Sequence, residues 1–228
     1  MRTAFFVDGY NLYYGLLRGS PYKWLDLSAL LGSILRVQEP SASVEAVHYY
    51  TAPVIAKLAT RGQASNDAQH RYIRALEARG VHVTLGAHRL DRGFAPRYIK
   101  GQKPSRLDQV AIWELEEKET DVNLALGMYR AACRSSLTGV SQIVLVSGDT
   151  DLTPALSAIK QDFPGIVLGV ILPHRQDRGG VVRNPPGSLK ACSDWMRTYI
   201  SDAELAACQF PGKIPLPKKP AIVKPGHW

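Results

Sequence analysis

The fold is decided by Ile143-Val144-Leu145-Val146-Ser147-Gly148-Asp149-Thr150-Asp151-Leu152, a run of four aliphatic residues that ends in a small polar turn before a helical pattern begins. The N-terminus repeats this design in Ala4-Phe5-Phe6-Val7-Asp8-Gly9-Tyr10-Asn11. Short apolar runs of this kind are typical of buried strands in a parallel sheet. Residues just past the carboxyl ends of such strands share one edge, where ligands bind. We therefore expect Asp8 and Asp149 to lie close together.

Strand and helix patterns alternate along most of the chain. Strands are predicted at 3–7, 44–51, 81–85, 142–146 and 165–172. Helices are predicted from Asp26 or Ser28 to about 36, from 65–67 to 79, over 107–134 with a break near 120, from 152 to 159, and over 189–207. An Arg- and Gly-rich loop is expected at 175–187. This alternation predicts an α/β fold, with a central, mostly parallel sheet in a three-layer α/β/α domain.

The composition sets the expected domain organisation. With 228 residues, 45% of them hydrophobic, the chain can bury one sizeable core, which we assign to residues 1–207. Residues 208–228 contain five prolines and four lysines from Pro211 onward and are predicted to form an extended, flexible tail. The longest apolar stretch, Gly165 to Leu172, is too short for a membrane span. Three scattered cysteines and no recognisable signal peptide favour a reducing cytoplasm.

The net charge of +8 favours polyanionic partners, although the tail supplies four of these charges. A basic insertion at 89–106 holds six Lys and Arg residues against one acid, interleaved with Phe94 and Tyr98. This pattern suits a surface that follows phosphates and stacks on bases, with Arg97, Lys100 and Lys103 as substrate-binding candidates. An exposed hairpin with solvated charges explains the same residues equally well.

The acids at the predicted sheet edge carry the chemistry. Asp121, which opens a helical stretch, is expected to join Asp8 and Asp149. Two carboxylates about 4 Å apart repel by roughly 4 kcal/mol at an effective dielectric near 20. A cluster of three is thus expected to need divalent cations, raised pKa values or basic neighbours.

Nearby side chains have two readings each. Asn11 can hold Asp8, a water or a phosphate, or belong to a simple turn. Asp151 is either a fourth metal ligand or the N-cap of the next helix, and Asp121 can also be an N-cap. Ser147 can reach a phosphate or satisfy backbone groups. Lys118 can meet the scissile phosphate or lie with Glu117 and Glu119 on a solvated helix face.

Three blocks together resemble the NYN-domain family of PIN-like nucleases, and its LabA-like branch most closely. They are Phe6 to Leu12, Glu117 to Leu126 and Val144 to Leu152. The resemblance covers roughly residues 3–200. It implies a PIN-like fold and a Mg²⁺- or Mn²⁺-dependent ribonuclease site. In it Asp8, Asp121 and Asp149 match the metal-binding acids, Asn11 a characteristic asparagine and Asp151 an accessory acid.

Two departures from the family pattern bear on catalysis. Many relatives carry an acid where this chain has Gly127, and some carry cysteines before the Glu117 block that this chain lacks. The aspartates and the resemblance together still lead us to predict an endoribonuclease. In it, two hard cations held by the aspartates activate water and stabilise the leaving oxygen. The alternatives are an RNA-binding or regulatory module with weak or no catalysis, and another metal-dependent phosphotransferase or phosphatase. The expected partner is nucleic acid, RNA before DNA, with a homodimer left open.

Overall fold

A computed structural model describes residues 1–175 and 184–228. Its centre is a six-stranded sheet in the order β3-β2-β1-β6-β7-β8, and every neighbouring pair is parallel. The strands are β1 (Arg2–Asp8), β2 (Ser43–Thr51), β3 (His82–Leu85), β6 (Val140–Val146), β7 (Val167–Ile171) and β8 (Trp195–Arg197). Of the predicted loop at 175–187, residues 176–183 lie outside the described residues.

Helices cover both faces of the sheet. They are α1 (Gly9–Leu12), α2 (Leu27–Gln38), α3 (Gln63–Ala78), α4 (Thr120–Cys133), α5 (Ser135–Thr138), α6 (Thr153–Asp162), α7 (Gly187–Cys192) and α8 (Asp202–Ala207). Two apolar clusters result, one under α2 and α3 and the other under α4 and α6. The three-layer α/β/α architecture is confirmed. Among the described residues, no helix is both long and apolar enough to cross a membrane.

The helix predicted across 107–118 is wrong. Gln109–Lys118 forms strand β5, which pairs antiparallel with β4 (Ala87–Pro96) over ten residue pairs. We call the two strands and the loop between them the arm. Leu115 and the charges at 116–118 fit a helical pattern, but Val110, Ile112 and Trp113 favour a strand. Pairing with β4 decides the outcome.

The single terminal helix predicted at 189–207 is also wrong, since the chain forms α7, then β8, then α8. Trp195 begins β8 beside Gly169, where an added Cβ would lie 2.3 Å from the indole, so only glycine admits this packing. The Asp194 carboxylate accepts the Leu168 N–H at 2.7 Å and helps to place the edge strand. Ser201 and Glu204 then form a capping box that restarts the helix.

The tail at 208–228 is not the extended, flexible arm that its prolines and lysines suggested. It forms a hairpin of β9 (Lys213–Leu216) and β10 (Lys219–Val223). Phe210 and Ile222 are buried in the core cluster under α2 and α3. The Trp228 ring contacts Trp24 and Tyr72, with centroids 6.2 and 5.7 Å away. Alternating apolar residues among the prolines give the hairpin a buried face.

Adjacent residues in β10 test this packing. Ile222 is 2% exposed and Val223 is 52% exposed. We expect Ile222→Ala to lower the free energy of unfolding by about 2–4 kcal/mol, because it empties a filled core position. Val223→Ala serves as the matched control and should stay within about 0.5 kcal/mol of wild type. Denaturant titration measures both, and equal small effects would mean that the tail does not belong to the core.

Candidate metal centre

The sheet reverses its strand order between β1 and β6. From β1 the chain adds β2 and β3 on one side and then returns to place β6 on the other. Val7 and Val146 lie opposite each other in register, so Asp8 and Ser147 leave the sheet side by side. This is the switch point at which ligands bind in open α/β sheets. The N-terminal turn of α4 brings Asp121 to the same edge.

Three aspartates converge at this point. One carboxylate oxygen from each of Asp8, Asp121 and Asp149 lies within 4.8 Å of the other two. Asp8 is buried, Asp149 is half-buried and Asp121 is exposed, so the group opens to solvent on one side. We call this group the acidic centre. Asp151 is exposed and does not belong to it.

Asp8 is held from both oxygens. Its Oδ1 accepts the Asn11 N–H at 2.9 Å, and its Oδ2 accepts the Ser147 hydroxyl at 3.0 Å. The Asn11 side-chain oxygen in turn accepts the Gly148 N–H at 3.0 Å, which ties the end of β1 to the end of β6. Asn11 thus orients the two loops through its hydrogen bonds with Asp8 and Gly148.

Ser147 positions Asp8. Its hydroxyl is fully buried, donates to Asp8 and accepts the Asp149 N–H at 3.0 Å. The hydroxyl proton and one lone pair are therefore engaged within the protein, and the contact with the Asp149 N–H agrees with the prediction that Ser147 satisfies backbone groups. A serine between an apolar strand and an acid was the only sequence signal for this function.

The helix caps are assigned differently from the prediction. Asp149, rather than Asp151, caps the short 3₁₀ turn Thr150–Leu152, since its Oδ1 accepts the Asp151 N–H at 2.9 Å. Asp121 lies inside the first turn of α4, whose N-cap is Glu119. Asp149 therefore combines a structural contact through one oxygen with membership of the acidic centre.

Burial and neighbouring acids raise the pKa values of Asp8 and Asp121. Burial is the largest cause of the rise in the pKa of Asp8 to about 6, and the charges of Asp121 and Glu117 add to it. The hydrogen bonds from Asn11 and Ser147 act in the opposite direction but do not offset burial. The pKa of Asp121 also rises, through desolvation first and then through Asp149, Glu117 and Asp151.

Glu117 is the acid that sequence reasoning missed. It was assigned to an ordinary solvated helix face, but it lies on β5 opposite His88. Its charge raises the pKa values of Asp8, Asp121 and Tyr10, so it faces the acidic centre. The signal that would have found it is the period-two pattern of β5, which sends Glu117 to the opposite face from its neighbours.

The arm is less basic than 89–106 suggested. Arg89 pairs with Asp91 at 2.5 Å and Arg97 with Asp108 at 3.2 Å, while Lys118 pairs with Glu116. Lys100 and Lys103 lie in the exposed loop between β4 and β5. Of the predicted phosphate contacts, these two lysines keep the most accessible charge. Lys118 is exposed, and its ammonium group pairs with Glu116 on the same strand.

Gly127 has a steric explanation. A Cβ built on it would lie 2.0 Å from the Tyr50 hydroxyl and 3.0 Å from Cζ of the same ring. Tyr50 is buried at the end of β2, opposite Asp8 in register. The phenol therefore occupies the space that a side chain at 127 would need. An acid introduced at Gly127 alone would displace Tyr50.

The acidic centre suits a hard divalent cation. Its donors are carboxylate oxygens, the ligands that Mg²⁺ and Mn²⁺ take. The pKa values of Asp8 and Asp121 are raised first by desolvation and then by neighbouring acids, and a bound cation would stabilise the ionised carboxylates against both effects. The residues present therefore fit such a metal.

A parallel α/β/α sheet with three aspartates at its switch point defines a PIN-like domain. Residues 2–177 match the family model described as "NYN domain". The chain thus belongs to the NYN-domain family, as the resemblance predicted.

Two known proteins show the extent of the similarity. The chain is 35% identical, over all of its length and 75% of the relative, to a protein from Pseudomonas putida named 6-hydroxy-3-succinoylpyridine 3-monooxygenase HspA. A solved structure from Vibrio parahaemolyticus, of a protein of unknown function, has a TM-score of 0.50 and 20% identity. It covers 88% of this chain and 93% of its own, and it supports the fold alone.

The raised pKa of Asp8 predicts a pH effect on stability. A carboxyl group whose folded pKa lies above its unfolded value stabilises the protein below that unfolded value, and this stability is lost as pH rises to about 6. Relative to wild type, Asp8→Asn should therefore gain about 2–3 kcal/mol between pH 4 and pH 7 in EDTA. Denaturant titration at both pH values measures this. Exposed Asp67→Asn is the control, and parallel pH profiles for wild type and Asp8→Asn would contradict the assignment.

Proposed function

We propose that this protein is a metal-dependent ribonuclease that hydrolyses phosphodiester bonds at the acidic centre. The observation that supports this most is the convergence of three carboxylate oxygens within 4.8 Å at the switch point of an NYN domain. The family implies a nuclease-like activity. The choice of RNA, endonucleolytic cleavage and Mg²⁺ or Mn²⁺ is part of the proposal.

Each residue would have its own role. Asp8, Asp121 and Asp149 would hold the metal. Asn11 and Ser147 fix the Asp8 carboxylate through hydrogen bonds of 2.9 and 3.0 Å. When bound, the metal supplies an activated water and charge stabilisation for the leaving oxygen. Asp151 and Glu117 extend the negative field around the opening and would favour a second cation.

The arm is the proposed RNA contact. Lys100 and Lys103 lie in its exposed loop, and Phe94 and Tyr98 are 71% and 88% exposed. Exposed rings beside lysines suit single-stranded nucleic acid, because each base can stack while its phosphate is neutralised. We place the protein in the cytoplasm, where its three free thiols would stay reduced, and leave a homodimer open.

Cleavage of single-stranded RNA tests the proposal. Wild type should cleave it with Mg²⁺ or Mn²⁺ and not with EDTA. Asp149→Asn should lose most of this activity but retain RNA binding, because it removes a metal ligand and a charge that repels phosphate. Asp67→Asn, remote from the centre, is the matched control. RNA binding with no cleavage by wild type under any metal would favour the RNA-binding module instead.

The salt dependence of RNA binding tests the arm. Replacing Arg97, Lys100 and Lys103 by Ala should reduce the slope of log K against log salt by about 2, as for three single-strand phosphate contacts. The control replaces three tail lysines, Lys213, Lys218 and Lys219, which removes the same charge elsewhere. Fluorescence anisotropy at several salt concentrations measures both. Equal slopes in the two triple variants would leave the arm without a specific role.

Oxygenation of a heteroaromatic ring is a second candidate, because the Pseudomonas relative carries the name of a monooxygenase and matches the whole chain. Such a reaction inserts one atom of O₂ and reduces the other to water, so it needs a two-electron donor. Incubation with 6-hydroxy-3-succinoylpyridine, NADH and O₂ tests it. Substrate-dependent NADH consumption with product formation would favour this candidate. Its absence alongside metal-dependent RNA cleavage would favour the nuclease.

A further inference from the structure

A second feature borders the acidic centre. A cleft of about 480 Å³ begins at Gly9 and Tyr10, directly after Asp8, and reaches His227 and Trp228. Its aromatic lining consists of Tyr10, Tyr13, Tyr14, Tyr49, Tyr72 and Trp228. We call it the aromatic cleft. The size is that of a site for a small ligand.

One wall presents stacked rings to solvent. Tyr10 and Tyr14 stack with centroids 6.0 Å apart and planes within 19°. Tyr14 is 58% exposed, and the Arg18 guanidinium lies 5.4 Å from its ring centroid, so a ligand ring would lie on the exposed part of Tyr14 beside this cation. Tyr13 and Tyr14 belong to a π-helical turn, Tyr13–Leu17, a rare conformation often found at functional sites.

The charges that line the cleft are positive. Arg18, Lys23 and Arg61 contribute to the lining, and no acid does so among the residues that the structure describes. Lys23 and Arg61 both act on His227, whose pKa is lowered first by burial and then by these cations. Their fields therefore meet at one end of the cleft, where an anion would be stabilised.

Hydrogen bonds fix the inner surface. Gln69 accepts the Val54 N–H at 2.7 Å and donates to the Ala52 carbonyl at 2.9 Å. His88 lies 2.8 Å from the Pro53 carbonyl through Nδ1 and 3.4 Å from the Tyr10 hydroxyl through Nε2. The loop after β2 is thereby tied to α3 and the arm, which gives the cleft a preformed floor.

We propose that the aromatic cleft binds a flat heteroaromatic ring that carries an anionic group. The ring stacks on Tyr14, and the anion pairs with Lys23 and Arg61. A nucleotide has this chemistry, and so does a hydroxypyridine carboxylate of the kind in the name of the Pseudomonas relative. The cleft borders the acidic centre but needs no hydrolysis there, so a protein without nuclease activity would still bind the ligand.

Isothermal titration calorimetry in EDTA tests the proposal with uridine 5′-monophosphate and 6-hydroxynicotinate. Uridine and 2-hydroxypyridine supply the two rings without the anion, and ribose 5-phosphate supplies the anion without a ring. We expect at least one complete ligand to bind about tenfold more tightly than its missing-group controls. Binding of the nucleotide alone identifies a nucleic-acid subsite, and binding of the pyridine alone identifies a small-molecule site.

Variants locate the site. Tyr14→Leu should weaken binding about tenfold, whereas Tyr14→Phe should retain it, because stacking needs the ring and not the hydroxyl. Arg61→Ala should weaken binding, and Lys57→Ala, an exposed charge outside the lining, should not. Unchanged melting temperatures confirm folding. The proposal is overturned if neither ligand binds, if ribose 5-phosphate binds as tightly as the nucleotide, or if Tyr14→Leu binds like wild type.

Discussion

The burial of one carboxylate beside other acids at the sheet edge is the constraint on which the rest of this structure depends. Asp8 is buried and accepts two hydrogen bonds, yet its pKa still rises to about 6. The apolar strands β1 and β6 fix its position, and the stability of the sheet maintains an arrangement that the charges oppose. Such uncompensated charge is a mark of functional sites, since a structural role would be better served by neutral residues.

Close packing at two glycines makes this arrangement possible. A Cβ on Gly9 would lie 2.6 Å from the Tyr49 hydroxyl, and one on Gly127 would lie 2.0 Å from that of Tyr50. Gly9 therefore allows the start of α1 to pack closely on Tyr49 in one core cluster, and Gly127 allows α4 to pack closely on Tyr50 in the other. The Tyr50 phenol fills the space that a side chain at 127 would need.

The sequence predicted what depends on short-range pattern. Aliphatic runs located β1 and β6, and the rule that parallel strands end at one edge was enough to place Asp8 beside Asp149. The prediction failed where distant partners decide the conformation. Gln109–Lys118 becomes a strand by pairing with β4. The tail folds where the Trp228 ring packs against Trp24 and Tyr72. Glu117 was missed because its role depends on side-chain direction, whereas the backbone alternative for Ser147 agrees with its contact with the Asp149 N–H.

The acidic centre and the aromatic cleft meet at Asp8-Gly9-Tyr10. Asp8 faces the carboxylates, while Tyr10 turns its ring toward Tyr14 and its hydroxyl toward His88. Glu117 raises the pKa values of both Asp8 and Tyr10, so one charge acts on the acidic centre and on the aromatic cleft. An anionic ligand in the cleft would therefore be favoured when a cation neutralises the aspartates.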